Sequence, residues 1–254
     1  MHLAPWVYPV LFLTGFVAGL VDAIAGGGGV IALPVLLSLG LPAPLALGTN
    51  KFQSSFGSFT AAWHYARRGL VDLRDCRIGI VATLAGASTG AGLVRMIDAQ
   101  ILGRLIPWLL AVIVAYMIFR PDVGDADRPA RLRPATFAVL FGLGLGFYDG
   151  FFGPGTGSFW TIAYVLVLGY NFPKATGYTK VMNCTSNLAA LALFAFAGRV
   201  LVAAGLVMAA GQVSGARLGA GLVVAKGARF IRPIFLTMAT LTILRLLWVT
   251  FVTR

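Results

Sequence analysis

Two lysines sit inside apolar stretches at matching places in the chain. Lys51 and Lys180 each follow a proline, Pro44 or Pro173, by seven residues, which at 1.5 Å per residue puts each about 10 Å into a helix. A lysine at that depth in lipid is costly and calls for a partner or a cavity; the competing reading is that its long side chain snorkels to the interface. Polar residues continue down both helices. Ser54 and Ser58 follow Lys51 at i+3 and i+7, with Asn50 and Gln53 beside them, and Asn183 and Asn187 follow Lys180 at the same spacing, one helical face in each case. An ammonium group followed by amide and hydroxyl donors can replace the hydration of a sulfonate-, sulfite- or carboxylate-like anion. The same Ser and Asn types also serve as hydrogen-bond glue between membrane helices.

Two aspartates are equally expensive in lipid. Asp22 and Asp149 each precede a glycine-rich break by four residues, the first break being Gly26-Gly27-Gly28-Gly29 and the second Gly153-Pro154-Gly155-Thr156-Gly157. Non-helical backbone at membrane depth is tolerated where it is buried in protein or lines a cavity. Glycine lets the chain turn sharply, and a helix N-terminus adds partial positive charge, so such a break suits an anion. The candidate contacts are Gly27, Gly28, Gly155 and Thr156, together with Lys51, Lys180, Asn50, Gln53, Ser54, Asn183 and Asn187. Three roles stand open for Asp22 and Asp149: ion pairs with the lysines, acceptors for the N–H groups of the glycine turns, or proton exchange during a transport cycle.

The elements that must position these groups are membrane helices. Of 254 residues, 59% are apolar and only 11% charged, against about 25% charged in a soluble domain, which excludes an ordinary cytosolic globule. Apolar segments fall at about 7–25, 30–41, 44–66, 77–97 and 100–119, and again at 135–152, 157–170, 174–197, 200–224 and 233–252. The second segment of each half is short for a crossing of ~30 Å and reads as a half-helix, so the chain holds roughly eight to ten membrane segments. The two halves, 1–119 and 135–254, flank a charged connection at 120–134.

These halves repeat each other. An offset of 127 carries Gly19, Asp22, Gly26 and Gly28 onto Gly146, Asp149, Gly153 and Gly155; after a two-residue insertion, an offset of 129 carries Gly40, Pro44, Gly48 and Lys51 onto Gly169, Pro173, Gly177 and Lys180, and Gly86, Gly90 and Gly92 onto Gly215, Gly219 and Gly221. Five segments per half is an odd number, so the second repeat enters the membrane from the opposite side. Charge agrees with this inversion. The loops at 67–77, 120–134 and 225–232 carry eleven Lys/Arg, the other side only Arg95, Arg104, Arg199 and Arg254, which makes the first set cytoplasmic and both termini external. The expected fold is all-α and polytopic, built of two inverted repeats. Interrupted segments at corresponding positions in two such halves point to a transporter's central site.

Other features read as architecture. Gly86-x-x-x-Gly90 and Gly211-x-x-x-Gly215-x-x-x-Gly219 form small-residue stripes for close helix contact. Arg217, Arg245 and His64 belong at interfaces or in local pairs. The net charge of +12 reflects loop arginines rather than a nucleic-acid surface. Cys76 and Cys184 form no disulfide or zinc pattern, the first apolar stretch reads as a membrane helix rather than a cleaved signal, and no nucleotide loop, metalloprotease motif or nucleophile elbow is present. Neither a cofactor nor a catalytic residue is expected. The partners this implies are a small anion, membrane lipid, a coupling ion such as a proton and, compatibly, further copies of the chain.

Three stretches carry a resemblance to a known family: Gly19-Leu-Val-Asp-Ala-Ile-Ala-Gly-Gly-Gly-Gly29, Gly48-Thr-Asn-Lys-Phe-Gln-Ser54 and Gly146-Phe-Tyr-Asp-Gly-Phe-Phe-Gly-Pro-Gly-Thr-Gly157. With them the chain resembles, over nearly its whole length, the TauE/SafE sulfite exporters, also called TSUP transporters. The resemblance implies a bacterial-type inner-membrane carrier for sulfite, small organosulfonates or other sulfur-containing anions, with direction and substrate varying among members. An anion channel is the alternative function, followed by an intramembrane enzyme or an assembly protein.

Overall fold

The computed structural model describes residues 4–93 and 124–251; the segment expected at 100–119, Arg95, Arg104, Arg120 and Arg254 lie outside them, as do the side chains of Arg232 and Arg245. The described residues are helical, without strands: α1 (Val7–Ala25), α2 (Gly28–Ser38), α3 (Ala43–Arg67) and α4 (Arg77–Leu93), then α5 (Pro134–Phe151), α6 (Thr156–Val167), α7 (Phe172–Phe196), α8 (Val202–Lys226) and α9 (Ala228–Phe251). Three of them, α1, α5 and α8, are long and apolar enough to cross a membrane. Their outer faces present large apolar side chains such as Leu13, Leu140 and Leu206, the arrangement lipid favours. In contrast, α3 and α7 carry their polar residues inward: Asn50, Lys51 and Gln53, and Lys180, Asn183 and Asn187, are all buried.

Helix directions follow from the order of contacts. Phe12 meets Gly211, Phe16 meets Gly215 and Leu20 meets Gly219, so α1 and α8 run parallel; Leu143 with Gly86 and Phe147 with Gly90 make α4 and α5 parallel too. Phe52 lies against Gly205 and Gly57 against Gln212, aligning α3 with α8, whereas Gly79 against Met182 and Ala91 in one cluster with Ala190 and Phe194 align α4 with α7. Between α3 and α7 the order reverses, Gly48 lying by Phe194 and Tyr65 by Gly177. Thus α1, α3 and α8 point one way, and α4, α5 and α7 the other. Exchanging each helix for its repeat partner reverses its direction, which is the packing of inverted halves.

The tightest contacts use the small-residue stripes. A β-carbon at Gly86 would overlap the carbonyl oxygen of Leu143, and one at Gly215 would overlap that of Phe16; these are equivalent sites in the two halves. Backbones approach this closely only over glycine. The short helices α2 and α6 each fold back along the helix before them. Leu36 and Leu41 share a buried cluster with Val7 and Leu11, and Tyr164 of α6 packs on Phe137 near the start of α5. Each α-helical hairpin therefore turns at its glycine break.

One expectation is corrected. The connection expected at 225–232 shrinks to Gly227 between α8 and α9, because Gly227 at φ 68° turns the chain within one residue. Pro233 lies inside α9 instead of opening it. The charge pattern keeps its sense: Arg67, Arg68, Arg74, Arg77, Arg128, Arg131, Arg133 and Lys226 are exposed and gather at one end, where α3 and α8 finish and α4 and α5 begin.

Candidate functional site

The two glycine breaks meet. Gly27 and Gly155, the residues just before α2 and α6, are both left-handed, at φ 106° and 85°, a conformation glycine alone adopts cheaply. Ser158 at the start of α6 donates a 3.3 Å hydrogen bond to the carbonyl of Ala25 at the end of α1, and the backbones of Gly26 and Gly157 lie in contact. The N-termini of α2 and α6, one from each half, thereby converge between α3 and α7.

Across this meeting point the lysines and aspartates pair crosswise. Lys51 of the first half donates to Oδ1 of Asp149 in the second at 2.6 Å, and Lys180 of the second half donates to Oδ2 of Asp22 in the first at 3.0 Å. The two bridges tie the halves together. They are not equal. Lys51 also donates to Oδ1 of Asn187 at 3.2 Å, and the other Asp149 oxygen accepts from the Ser186 hydroxyl. Lys180 is fully buried with Asp22 as its acceptor, while Asp22 is 18% exposed and accepts a further bond from the Gly28 N–H at 3.3 Å. Of the three roles open for the aspartates, ion pairing describes both, and support of a glycine turn describes Asp22.

A small cavity, about 30 Å³, lies beside the pairs and is lined by Asp22, Lys51 and Asp149, by Asn50, Ser54, Asn183 and Asn187, and by Gly27, Gly29, Gly153, Gly155, Thr156 and Gly157. That is room for about one or two waters. Nδ2 of Asn50 and Nδ2 of Asn183 donate no hydrogen bond among the described residues, and the first-turn N–H groups of Gly29 and Gly157 are likewise unclaimed. These donors face one point from both halves. Chemically the cavity offers amide donors and two helix N-termini, with ammonium groups one bond away, a set that suits an oxyanion.

Not every expected contact reaches this cavity. Lys180 is turned to Asp22 and lines none of it; the Gly28 N–H is spent on the same carboxylate; and Gln53 donates to Asn50 Oδ1 at 2.9 Å and to Ser54 Oγ at 3.1 Å from behind. Ser58 bonds the carbonyl of Ser54 within its own helix. Ser186, absent from the sequence reading, lies two turns beyond Lys180 near the face that carries Asn183 and Asn187; its first-half equivalent is Gly57, so the repeat gave no signal for it. Gly29, Gly153 and Gly157 also join the lining. His64 and Arg217 stand away from the site on the outer part of the bundle.

Known proteins extend these observations. The family model described as sulfite exporter TauE/SafE matches residues 11–246. A probable membrane transporter protein of Haemophilus influenzae is 46% identical over 230 residues, covering 91% of this chain and 90% of the relative. The probable membrane transporter protein YfcA of Escherichia coli K12 is 40% identical over 245 residues, covering 96% and 91%. A more distant relative, the probable membrane transporter protein YdhB of Bacillus subtilis, is 29% identical over 179 residues, covering 68% of this chain and 71% of that one. No solved structure gives a significant match. With the family pattern matched almost from end to end, and relatives at 46% and 40% identity aligned over about nine tenths of their own length, the chain belongs to the sulfite exporter TauE/SafE family of membrane proteins.

Proposed function

We propose that this membrane transporter is a secondary carrier that moves a small sulfur-containing anion, such as sulfite or an organosulfonate, across a bacterial-type inner membrane by alternating access. The observation that carries the reading is the crossed pair of bridges. Each joins a lysine of one half to an aspartate of the other, so any rocking of the halves stretches both. The anion competes with a carboxylate for an ammonium already in place, receives N–H groups from the starts of α2 and α6, and is oriented by Asn50 and Asn183. Parting an ammonium from its carboxylate inside the protein leaves a charge to be compensated. An anion supplies that compensation at the lysine, and water or a proton supplies it at the aspartate. Substrate binding and opening are coupled in this way.

A channel needs a continuous polar path. The central cavity takes only about one or two waters and lies beside both bridges, which favours the carrier. The test is thermal stabilisation of the purified protein by sulfite, thiosulfate, sulfoacetate, sulfate and carboxylate analogues, since a ligand of the folded state raises its melting point. A selective shift by a sulfur oxyanion, lost in Lys51→Ala/Lys180→Ala, is the expected result. An unchanged shift in that double variant sinks the site.

A further inference from the structure

A much larger cavity, about 370 Å³, opens at the arginine-rich end between α4, α5, the end of α6 and α7. Its size falls in the range of small-molecule pockets. The repeat shows that it is built by side chains. At the equivalent place in the first half, Met208 stands where the cavity has Gly79, and Leu11 where it has Ala138; with Leu36, Leu41 and Ala204 they pack into a buried cluster. The cavity replaces Leu41 and Ala204 by Tyr170 and Asp75, and Tyr164 lines it beside them. One half fills this space with methyl groups, and the other empties it and lines it with polar atoms.

Those polar atoms are available. Tyr164 is 5% exposed, and its hydroxyl has no hydrogen-bond partner among the described residues; nor does the hydroxyl of Tyr170 or the guanidinium of Arg74. The first-turn N–H groups of Ile78 and Gly79 in α4 are unclaimed as well, and α5 begins at the same mouth. Asp75, the one acid in the lining, is engaged by the Tyr178 hydroxyl at 3.2 Å. At the mouth Arg74 offsets the charge of Asp75, and the unclaimed N–H groups at the start of α4 add partial positive charge, above a floor of Phe137, Met182 and the tyrosine rings.

We propose that this cavity is a second binding site, separate from the central one, for an organic anion that carries an apolar body. The anionic group sits by Arg74 and the start of α4, with the Tyr164 hydroxyl as a further donor, and the apolar part takes the volume that Met208 and Leu11 occupy in the other half. Either a soluble carboxylate or sulfonate or the headgroup of an anionic lipid satisfies that chemistry.

The test titrates hexanesulfonate and 4-phenylbutyrate into the purified full chain, with sulfate and hexyltrimethylammonium as controls. Native mass spectrometry of protein from phosphatidylglycerol nanodiscs forms the second arm. Gly79→Met/Ala138→Leu transplants the filled half into the open one, and Arg74→Gln, at an exposed position, removes the charge without touching the core. Saturable binding of a soluble organic anion, weakened at least about tenfold by both variants while any sulfite-induced stabilisation is kept, supports the site with a soluble occupant. Retained phosphatidylglycerol that both variants lose supports it with a lipid occupant. The proposal is overturned if sulfate or the cation binds as well as the organic anions, or if neither arm distinguishes Arg74→Gln from the unaltered protein.

Discussion

The two bridges occupy equivalent positions in the repeat and are differently enclosed. In the Lys51–Asp149 bridge both partners are buried, 3% and 5% exposed, and each has a second hydrogen-bond partner, Asn187 for the lysine and Ser186 for the carboxylate. In the Lys180–Asp22 bridge the lysine is sealed, with Asp22 as its one acceptor among the described residues, while the carboxylate is 18% exposed and holds the Gly28 N–H. A repeated motif has thus become one bridge buried at both ends and one whose cation is sealed while its anion is partly open. Lys51 is the ammonium at the cavity wall, and Asp22 is the carboxylate with the better access to water.

The largest effect follows from trapping. Asp22→Ala strands Lys180 without an acceptor and should cost about 3–5 kcal/mol of stability, with Asp149→Ala costing less because Asn187 remains for Lys51. Lysine removal should reverse the order, Lys51→Ala being the more damaging because Asp149 has little access to water. Thermal unfolding of the four variants in detergent checks this crossed ranking, and equal losses across a bridge would erase the asymmetry.

Ser186→Ala sharpens the comparison. Loss of a hydrogen bond to a charged group is worth about 1.5–3 kcal/mol, and it should bring the Asp149 bridge closer in behaviour to the Asp22 bridge. A melting temperature unchanged by this substitution would count against the Ser186 contact. The helix stripes should show no such asymmetry. Gly86→Val and Gly215→Val each force backbones apart and should each cost about 1–3 kcal/mol or more, matching one another in yield and melting temperature; a large disparity would mean that the two halves do not share their packing.

The smallest effect is expected outside the apolar core. Lys174, about one third exposed, pairs with the half-exposed Asp127 at 3.1 Å. Burial pushes the Asp127 carboxyl up, but the Asn171 amide and the Lys174 ammonium outweigh it and hold its pKa below the usual range. Its contribution is thus present above the unfolded aspartate pKa of about 3.9 and is lost as pH falls through the lower folded value. Asp127→Asn should lower stability by less than about 1 kcal/mol at neutral pH, and the difference from the unaltered protein should vanish on acidification. A larger effect at neutral pH would show that exposed charge matters here as much as buried charge.

Much of this fold is legible in the residues. The apolar segments mark the described helices to within a few residues, and the offset of 127 turning to 129 identifies the repeat because side-chain roles recur even where backbone direction inverts. Odd segment number and arginine placement then give the inversion. The crossing of the bridges is not legible: sequence shows which acids and bases are buried but not which half each faces, and that depends on how α3 packs against α7. Ser186 escaped because its counterpart Gly57 has no side chain. Lys180 and Gln53 were expected at the cavity because they share helical faces with residues that do line it; Asp22 and Asn50 draw their polar ends elsewhere. The turn at Gly227 was overextended because charge clusters suggest loops, while here Lys226 and Arg229 sit on helix ends.

The most direct test of the central claim is sulfite counterflow in proteoliposomes. Protein preloaded on one side with unlabelled sulfite should accumulate labelled sulfite transiently, with saturation, and Lys51→Ala/Lys180→Ala should abolish that accumulation while remaining folded. Flux that rises linearly with concentration and shows no counterflow, or counterflow that survives loss of both lysines, would contradict an alternating carrier with its anion site at the crossed bridges.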